Sequence, residues 1–579
     1  MATADDVIYN MSTQSEGSPA VFTKKDWLSI LDNQNQNYQG NQSVIDTSQL
    51  ANSNKYINYR EAYVTIPLLL TATQPVGVAP QFAPATLSAD YAVGLKNWYG
   101  SIIHSFTCDY NGTTIIQQTP YIGLWNTFKL MTSLSQDDLT TQGSAIGFFP
   151  DTATSVGYNS ANTGLNGVGT ANSFNYPSTA TSITTLNAFT VFNSGLYRRQ
   201  QAWNFDLAGT NTNGNAPYST LQSTSQINNL WKSYVFNKQD GTLVGGTNKP
   251  GVWQCAITSQ VYLKHLHSFF ERIPLLKGVF MKLTMNLNQT SVNFTTSSAS
   301  GATGTAGATT FNTVTVNSPL GGISPIMLAS GATNAGGTVW GSGPNIVSLA
   351  VGKTIINSSQ SSVTGVLGSP LSGSILLNVP AYSFNPVFES SYLSSPVKKI
   401  VYTDVYQYQV LNVAGGAVFN NLVTNGIANI KSVLVLPFFT STANQGLLPF
   451  QSPFDPAGGG PTSPLCLLTQ FNIQISGQNA IYNTERYEYE QFMNQFKGVN
   501  AINGGQEDGS TSGLVGQLDF DMEYCYYYVN CGRMLPVEEA VPKSVNILGT
   551  NTSSLAIDMY IFVEYGVEVN VDILTGARV

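Results

Sequence analysis

Near the C-terminus, Ile557, Met559, Ile561, Val563, Tyr565, Val567, Val569 and Val571 occupy every second position without a break. A period of two puts all eight on one face of an extended chain, and no helix can gather them on one side. The segment is therefore expected to be a long β-strand with one face buried, which demands neighbouring strands and a core beneath. Val279, Met281, Leu283, Met285 and Leu287 repeat the pattern earlier in the chain. Two such closing strands suggest a duplicated, antiparallel β-domain, each copy a barrel or sandwich.

A second pair of stretches carries the same message. Phe106, Gly112, Ile116 and Thr119 fall on Phe471, Gly477, Ile481 and Thr484 at one separation of 365 residues. Each stretch reads as a hairpin followed by a short helix. Phe106, Cys108 and Tyr110 alternate before Asn111-Gly112, and Phe471, Ile473 and Ile475 alternate before Ser476-Gly477. Both dipeptides suit a two-residue turn. Thr119 and Thr484 are candidate helix caps, and Pro120 suits a first helical position. Tyr121, Leu124, Trp125 and Phe128 then form an apolar stripe, matched by Tyr489, Phe492, Met493 and Phe496, with Gly498 as the stop.

Length permits two large β-domains in 579 residues. Charge is the outlier: Asp, Glu, Lys and Arg make up 10%, against roughly 25% in soluble proteins. Ser, Thr, Asn, Gln and Gly fill the gap. That fits a secreted β-protein coated with hydroxyls and amides, a fibrous or adhesive protein, or a subunit covered by copies of itself, since interface centres exclude charge. A net charge of −8 speaks against condensing nucleic acid. The basic doublets Lys24-Lys25, Arg198-Arg199 and Lys398-Lys399 read as solvated or ion-paired side chains. Five cysteines (Cys108, Cys255, Cys466, Cys525, Cys531) without a Cys-x-x-Cys indicate a reducing compartment or plain burial. The acidic, polar start MATADDVIYN is not a signal peptide, and no run of 18 apolar residues could span a membrane. The sequons at Asn111 and Asn551 are of a kind that an Asn/Ser/Thr-rich chain makes by chance.

Taken in order, residues 1–55 read as a polar, extended arm that becomes ordered only against a partner or the domain body, with one short helix near Trp27 and Leu31. Residues 56–290 read as a first β-domain, opening with a strand at Tyr56–Leu70 and a helix at Ser88–Ile103, where Tyr91, Leu95, Trp98 and Ile102 share a stripe. Its residues 137–250 form a Gly/Asn/Thr/Ser-rich insertion with little regular structure, and apolar islands at Ile183–Phe192 and Gly195–Trp203. Strands resume at Val252–Leu266, a turn follows at Ser268–Leu276, and the domain closes near Gln289. Residues 291–372 read as an extended, partly strand-forming connection or external loop, with Ile346–Ile356 able to pair. Residues 373–579 form the second domain: Ser374–Val379 opens it, Lys399–Val413 and Ile430–Phe439 are strands, and 440–465 is a Pro/Gly loop. Leu518, Phe520, Met522, Tyr524, Tyr526 and Tyr528 predict one further strand.

Chemistry-bearing patterns are sparse. His265 and His267 would share a face on a strand and could hold a metal, but a packed or exposed pair is the stronger reading. His104 reads as structural. Asp519, Asp521 and Glu523 on one strand face could hold Ca²⁺, though a solvated face that resists edge-to-edge pairing accounts for them better. No nucleophile elbow and no phosphate loop occur. No catalytic, cofactor-binding or metal site is assigned, and the chain reads as non-enzymatic.

The arm and first strand (FTKKDWLSILDNQNQNYQGNQ, IDTSQLANSNKYINYREAY), the first hairpin (IHSFTCDYNGTTIIQQTPYIGLWNTFKLMTSLS) and the closing strand (DMYIFVEYGVEVNVDILTG) together resemble the double jelly-roll major capsid proteins. The likeness is to those of polinton-like viruses and virophages, in a lineage that includes adenovirus and membrane-containing tailless phages. It implies an all-β chain of two tandem antiparallel eight-stranded jelly-roll barrels with short helices and long loop insertions. It further implies a homotrimer of pseudohexagonal outline that tiles an icosahedral shell around a double-stranded DNA genome. Penton and minor capsid proteins would be partners, with no sequence-specific nucleic-acid binding. The chain would be made in the infected cell without secretion and reside in the virion. The insertions would form the crown and trimer contacts, and the arm would lie at the base. The alternative is a secreted or surface-attached β-rich adhesin or carbohydrate-binding protein, with a jelly-roll glycoside hydrolase third.

Overall fold

The computed structural model describes residues 20–73, 92–95, 98–150, 233–239, 243–244, 247–248, 252–298, 309–317, 320, 324–329, 345–352, 373–439, 468–481, 486–497, 513–522, 526–531, 540–552 and 556–578. Sixteen strands make up two barrels. The first barrel contains β1 (Phe22–Leu31), β2 (Gln42–Asp46), β3 (Tyr63–Thr73), β4 (Ile103–Tyr110), β5 (Thr113–Ile116), β6 (Val252–Tyr262), β7 (Met281–Leu287) and β8 (Leu376–Phe384). The second contains β9 (Val397–Val413), β10 (Val418–Ile427), β11 (Ile430–Phe439), β12 (Leu468–Ile475), β13 (Gln478–Asn479), β14 (Tyr527–Asn530), β15 (Lys543–Asn551) and β16 (Ile557–Asp572).

All pairings within and between these strands are antiparallel, and the order is the same in both barrels. One sheet runs β1-β8-β3-β6 in the first and β9-β16-β11-β14 in the second. The facing sheet runs β2-β7-β4-β5 in the first and β10-β15-β12-β13 in the second. Every strand thus has its counterpart eight strands later, and this order is that of a jelly roll. The fold is a double jelly roll.

The duplicated hairpins occupy equivalent places. Asn111-Gly112 joins β4 to β5, and Ser476-Gly477 joins β12 to β13, with φ of 45° and 81° against 49° and 80°. Both central residues of each turn are left-handed, as a two-residue hairpin turn requires. A Cβ on either glycine would meet nothing within 4 Å, so backbone conformation alone calls for glycine. The flanking hydrogen bonds also correspond: Asn111 N–H donates to Phe280 O beside β7, and Ser476 N–H to Ser544 O in β15.

The closing strand behaves as its alternation requires: Ile557, Met559, Ile561 and Val563 are fully buried. The same holds for Met281, Leu283, Met285 and Leu287 in β7. Yet β7 does not close its barrel, because the chain continues as a hairpin (Thr290–Ser298 with Thr309–Asn317) and a strand Asn345–Val351 that extends the sheet beside β3.

Three expectations about the chain's order are corrected. Residues 22–31 form a strand of the first sheet in place of the short helix: Trp27 lies opposite Pro380 and Ile30 opposite Leu377 in β1-β8 pairing, so this part of the arm is ordered against the domain body. Residues 42–46 likewise pair with β7. Leu376–Phe384 does not open the second domain but returns to the first sheet, between β1 and β3. The physical reason is that strand partnership is non-local, and β1 carries apolar residues on both sides, Trp27 and Leu31 outward and Leu28 and Ile30 inward, so its local pattern does not show which side is buried.

Smaller departures follow from competing local preferences. The region 88–103 contains a strand Ala92–Leu95 and a 3₁₀ turn Tyr99–Ile102 in place of a helix, with Gly94 and Gly100 interrupting it. Leu95, Trp98 and Ile102 are nonetheless buried. Residues 136–146 begin the expected insertion as a helix, started by a capping box between Ser135 and Asp138. Leu518–Tyr528 is not one strand: Gln517–Met522 is helical, and β14 begins at Tyr527. The islands at 183–203 and the loop 440–465 lie outside the described residues.

Candidate functional site

The two barrels meet in a joint built of aromatic contacts and side-chain hydrogen bonds. It is organised by the helix Ile122–Ser133, which follows β5. Ile122, Leu124, Trp125, Phe128, Leu130 and Met131 are all buried, so the helix is apolar nearly all round and must be covered on both sides. One side belongs to the first barrel. The other meets residues that face away from the core of the second barrel. Tyr121 packs edge-on to Tyr560, Trp125 tilts against Phe562, and Phe128 stacks on Tyr528 and meets Tyr526 and Phe496. This explains why β16 is buried on both faces through Tyr560, Phe562 and Glu564.

Polar groups seal the rim. The Ser268 hydroxyl donates to Thr403 O at 2.5 Å and accepts from Thr403 N–H at 3.0 Å, capping the free edge of β9. Thr119 donates to Val405 O at 2.7 Å, and Tyr402 donates to Ile115 O at 2.7 Å. An exposed strand edge is a template for unwanted pairing, and side-chain hydroxyls close these positions without adding a strand. Thr119 is therefore no helix cap. Tyr121 occupies the N-cap in a left-handed conformation without a side-chain capping bond, while Thr484 and Gly498 lie outside the described residues.

Two carboxylates are buried in the joint, each with partners. Asp404 lies 3.2 Å from His267 Nε2 and accepts from Tyr565 OH at 3.1 Å. His267 Nδ1 accepts from Phe269 N–H, which leaves Nε2 to carry the hydrogen facing Asp404. Glu564 accepts from Ser432 Oγ at 2.7 Å and faces Lys129 at 3.5 Å. Burial pushes the Glu564 carboxyl up, but Lys129 and the hydroxyls of Ser432 and Thr403 outweigh it and hold it below the usual range.

The paired histidines do not converge. His265 sits on the helical turn Leu263–Leu266 and His267 just after it, so the strand geometry that would align them is absent. His265 and His104 are each pushed down to about 4 by burial. His104 packs edge-on against Tyr121, which fits a structural role. Asp519 lies in the first turn of a helix, so the carboxylate row does not form, and Glu523 lies outside the described residues. Among the described residues no three His, Cys, Asp or Glu side chains cluster as a metal site. No helix of the described residues is long and apolar enough to cross a membrane.

Both sequon asparagines have structural duties. Asn111 donates to Gly576 O at 2.6 Å and accepts from Phe280 N–H, and buried Asn551 donates to Val413 O and Ala414 O. Lys25 pairs with Glu61 and Lys399 with Glu568, as the doublets suggested, while Arg198-Arg199 lies outside the described residues. Cys108 is buried with its thiol pushed up, and both it and Cys531 are free.

The sheet of the first barrel that corresponds to the covered one, β1-β8-β3-β6, keeps its outer face open. Trp27 is 50% exposed and Leu31 61%. Trp27 and Tyr262 flank Tyr63 there, and Lys25 sits over the rings of Trp27 and Tyr382. Aspartate 404, the covered face of β16 and this open face were not singled out from sequence. The signal available was the second alternation in β16, where Tyr560 and Phe562 occupy what should be a solvent face.

No family model and no curated protein matches the sequence. Among solved structures, the chain is similar to a chain of the Sputnik virophage particle, with 11% identity, 97% of this chain and 88% of that one covered, and a TM-score of 0.45. It is similar to the mavirus major capsid protein at 9% identity, covering 100% and 94%, with a TM-score of 0.41. The Faustovirus major capsid protein gives 10% identity, 98% and 94% coverage, and a TM-score of 0.40.

Proposed function

We propose that this chain is a major capsid protein whose work is self-assembly. The observation that carries the reading is the open outer face of β1-β8-β3-β6 beside its covered counterpart β9-β16-β11-β14. Within one chain the first barrel docks onto the second head to tail. The same contact made by the second barrel of one copy onto the first barrel of the next continues the series. A head-to-tail contact closes into a ring when its rotation divides a full turn. Three chains then carry six like barrels, a hexagonal outline on a threefold subunit, and such units tile an icosahedral shell. A chain with only 10% charged residues suits burial by neighbours on several sides. The remaining roles follow the same reading: a shell around double-stranded DNA, penton and minor capsid proteins as partners, and synthesis in the host cell without secretion. Light scattering coupled to size exclusion tests it: a particle of three times 62.1 kDa is expected. A monomer at micromolar concentration in low salt overturns it.

A further inference from the structure

The chain contains one version of the barrel-to-barrel contact in full and both halves of a second version, and the two differ in chemistry. In the internal joint, the covering helix Ile122–Ser133 offers aromatic and aliphatic side chains with Lys129 its one charge. The corresponding element of the second barrel, the segment 486–496 after β13, has turned its apolar side inward: Phe492 is fully buried against Phe520, and Gln495 Oε1 accepts from Asn530 N–H. Its outward side chains are Arg486, Glu488, Glu490 and Asn494. Arg486 is 71% exposed and pairs with Glu488, itself 49% exposed.

The receiving face differs in the same way. In the second barrel it is lined by Tyr560 and Phe562, with the buried Glu564 neutralised by Lys129. In the first barrel it carries Lys25 and Glu61, with side-chain exposures of 41% each, while Lys24 stands on the opposite side of β1 and pairs with Asp26. Charges are scarce in this chain; in the closed joint the carboxylates are buried and partnered within it, Asp404 by His267 and Tyr565 and Glu564 by Lys129, whereas on both open halves the charges stand exposed. An internal joint never has to come apart and can be apolar. A contact between copies must form reversibly and in one register, which complementary charge favours.

Resting on the capsid reading, we propose that the contact between copies is an electrostatic version of the internal joint, in which Arg486, Glu488 and Glu490 of one copy meet Lys25 and Glu61 of the next. Acidic Glu488 and Glu490 face Lys25, and Arg486 faces Glu61. Salt screens such contacts, with a Debye length of about 10 Å at 0.1 M and about 3 Å at 1 M.

The test follows association of the full chain by light scattering across a dilution series. Raising NaCl from low to molar concentration is expected to raise the concentration for half-association by about tenfold or more, a shift that corresponds to about 1.4 kcal/mol. Lys25→Glu is expected to do the same at low salt. Adding Glu488→Lys and Glu490→Lys to that chain is expected to restore most of the association, which a merely damaged fold would not do. A wild-type trimer that ignores salt, a lysine-reversed chain that associates normally, or a three-site variant that stays dissociated overturns this proposal and leaves the capsid reading standing. A wild-type chain that is monomeric throughout overturns both.

Discussion

Replacing Phe128 by alanine should loosen the two barrels from each other more than it damages either. The ring is 1% exposed and lies 5.0 Å from Tyr526, 5.4 Å from Tyr528 and 6.4 Å from Phe496, all across the joint. Truncating a buried phenylalanine costs about 3–5 kcal/mol, through lost transfer energy and the cavity left behind. Aromatic pairs contribute about 0.5–1.5 kcal/mol each beyond their buried area, so the upper part of that range is expected, about 4–5 kcal/mol. Phe128→Leu keeps most of the volume and should cost about 1–1.5 kcal/mol. Urea unfolding followed by circular dichroism and by tryptophan fluorescence reads both quantities, since Trp125 stands one turn away at 5.7 Å. With the joint weakened, the two probes should separate, the fluorescence change preceding the loss of β-structure. A loss below about 1 kcal/mol for Phe128→Ala, or coincident transitions at an unshifted midpoint, would refute the claim that this helix holds the barrels together.

Deleting residues 1–55 removes β1 from β8 and β2 from β7, so the product should be insoluble or lack a cooperative melt; a truncated chain that melts normally contradicts the pairing. Acid should destabilise the chain well before its carboxylates titrate. His104 and His265 are lowered to about 4, so between about pH 6.5 and 4 the unfolded chain binds protons that the folded chain refuses. Stability is therefore full above pH 6.5 and falls as pH drops, by at most roughly 3 kcal/mol per histidine. Melting temperatures at pH 7, 6 and 5 check the sign, and His104→Phe with His265→Gln should flatten the slope. A wild type more stable at pH 5 than at pH 7 refutes it.

Much of this fold is legible in the residues themselves. The alternation through Ile557 to Val571 and Met281 to Leu287 could be satisfied only by half-buried strands, because a period of two has one solution. Gly112 and Gly477 mark the hairpins because backbone conformation, not packing, selects glycine there. What local pattern could not decide was which strands share a sheet. Leu376–Phe384 has the same β-forming look whether it opens one barrel or closes another, and only its placement between β1 and β3 assigns it to the first. Phe22–Leu31 becomes a strand through a partner some 350 residues away. The joint lay equally out of reach. Tyr560 and Phe562 read as a solvent face until the helix Ile122–Ser133 covers them, and Asp404 acquires a role only when His267 and Tyr565 reach it from separate elements. Local periodicity determines that a segment is extended and which side is apolar. The choice of neighbour is a competition among distant surfaces, decided when burial of the whole chain is settled at once.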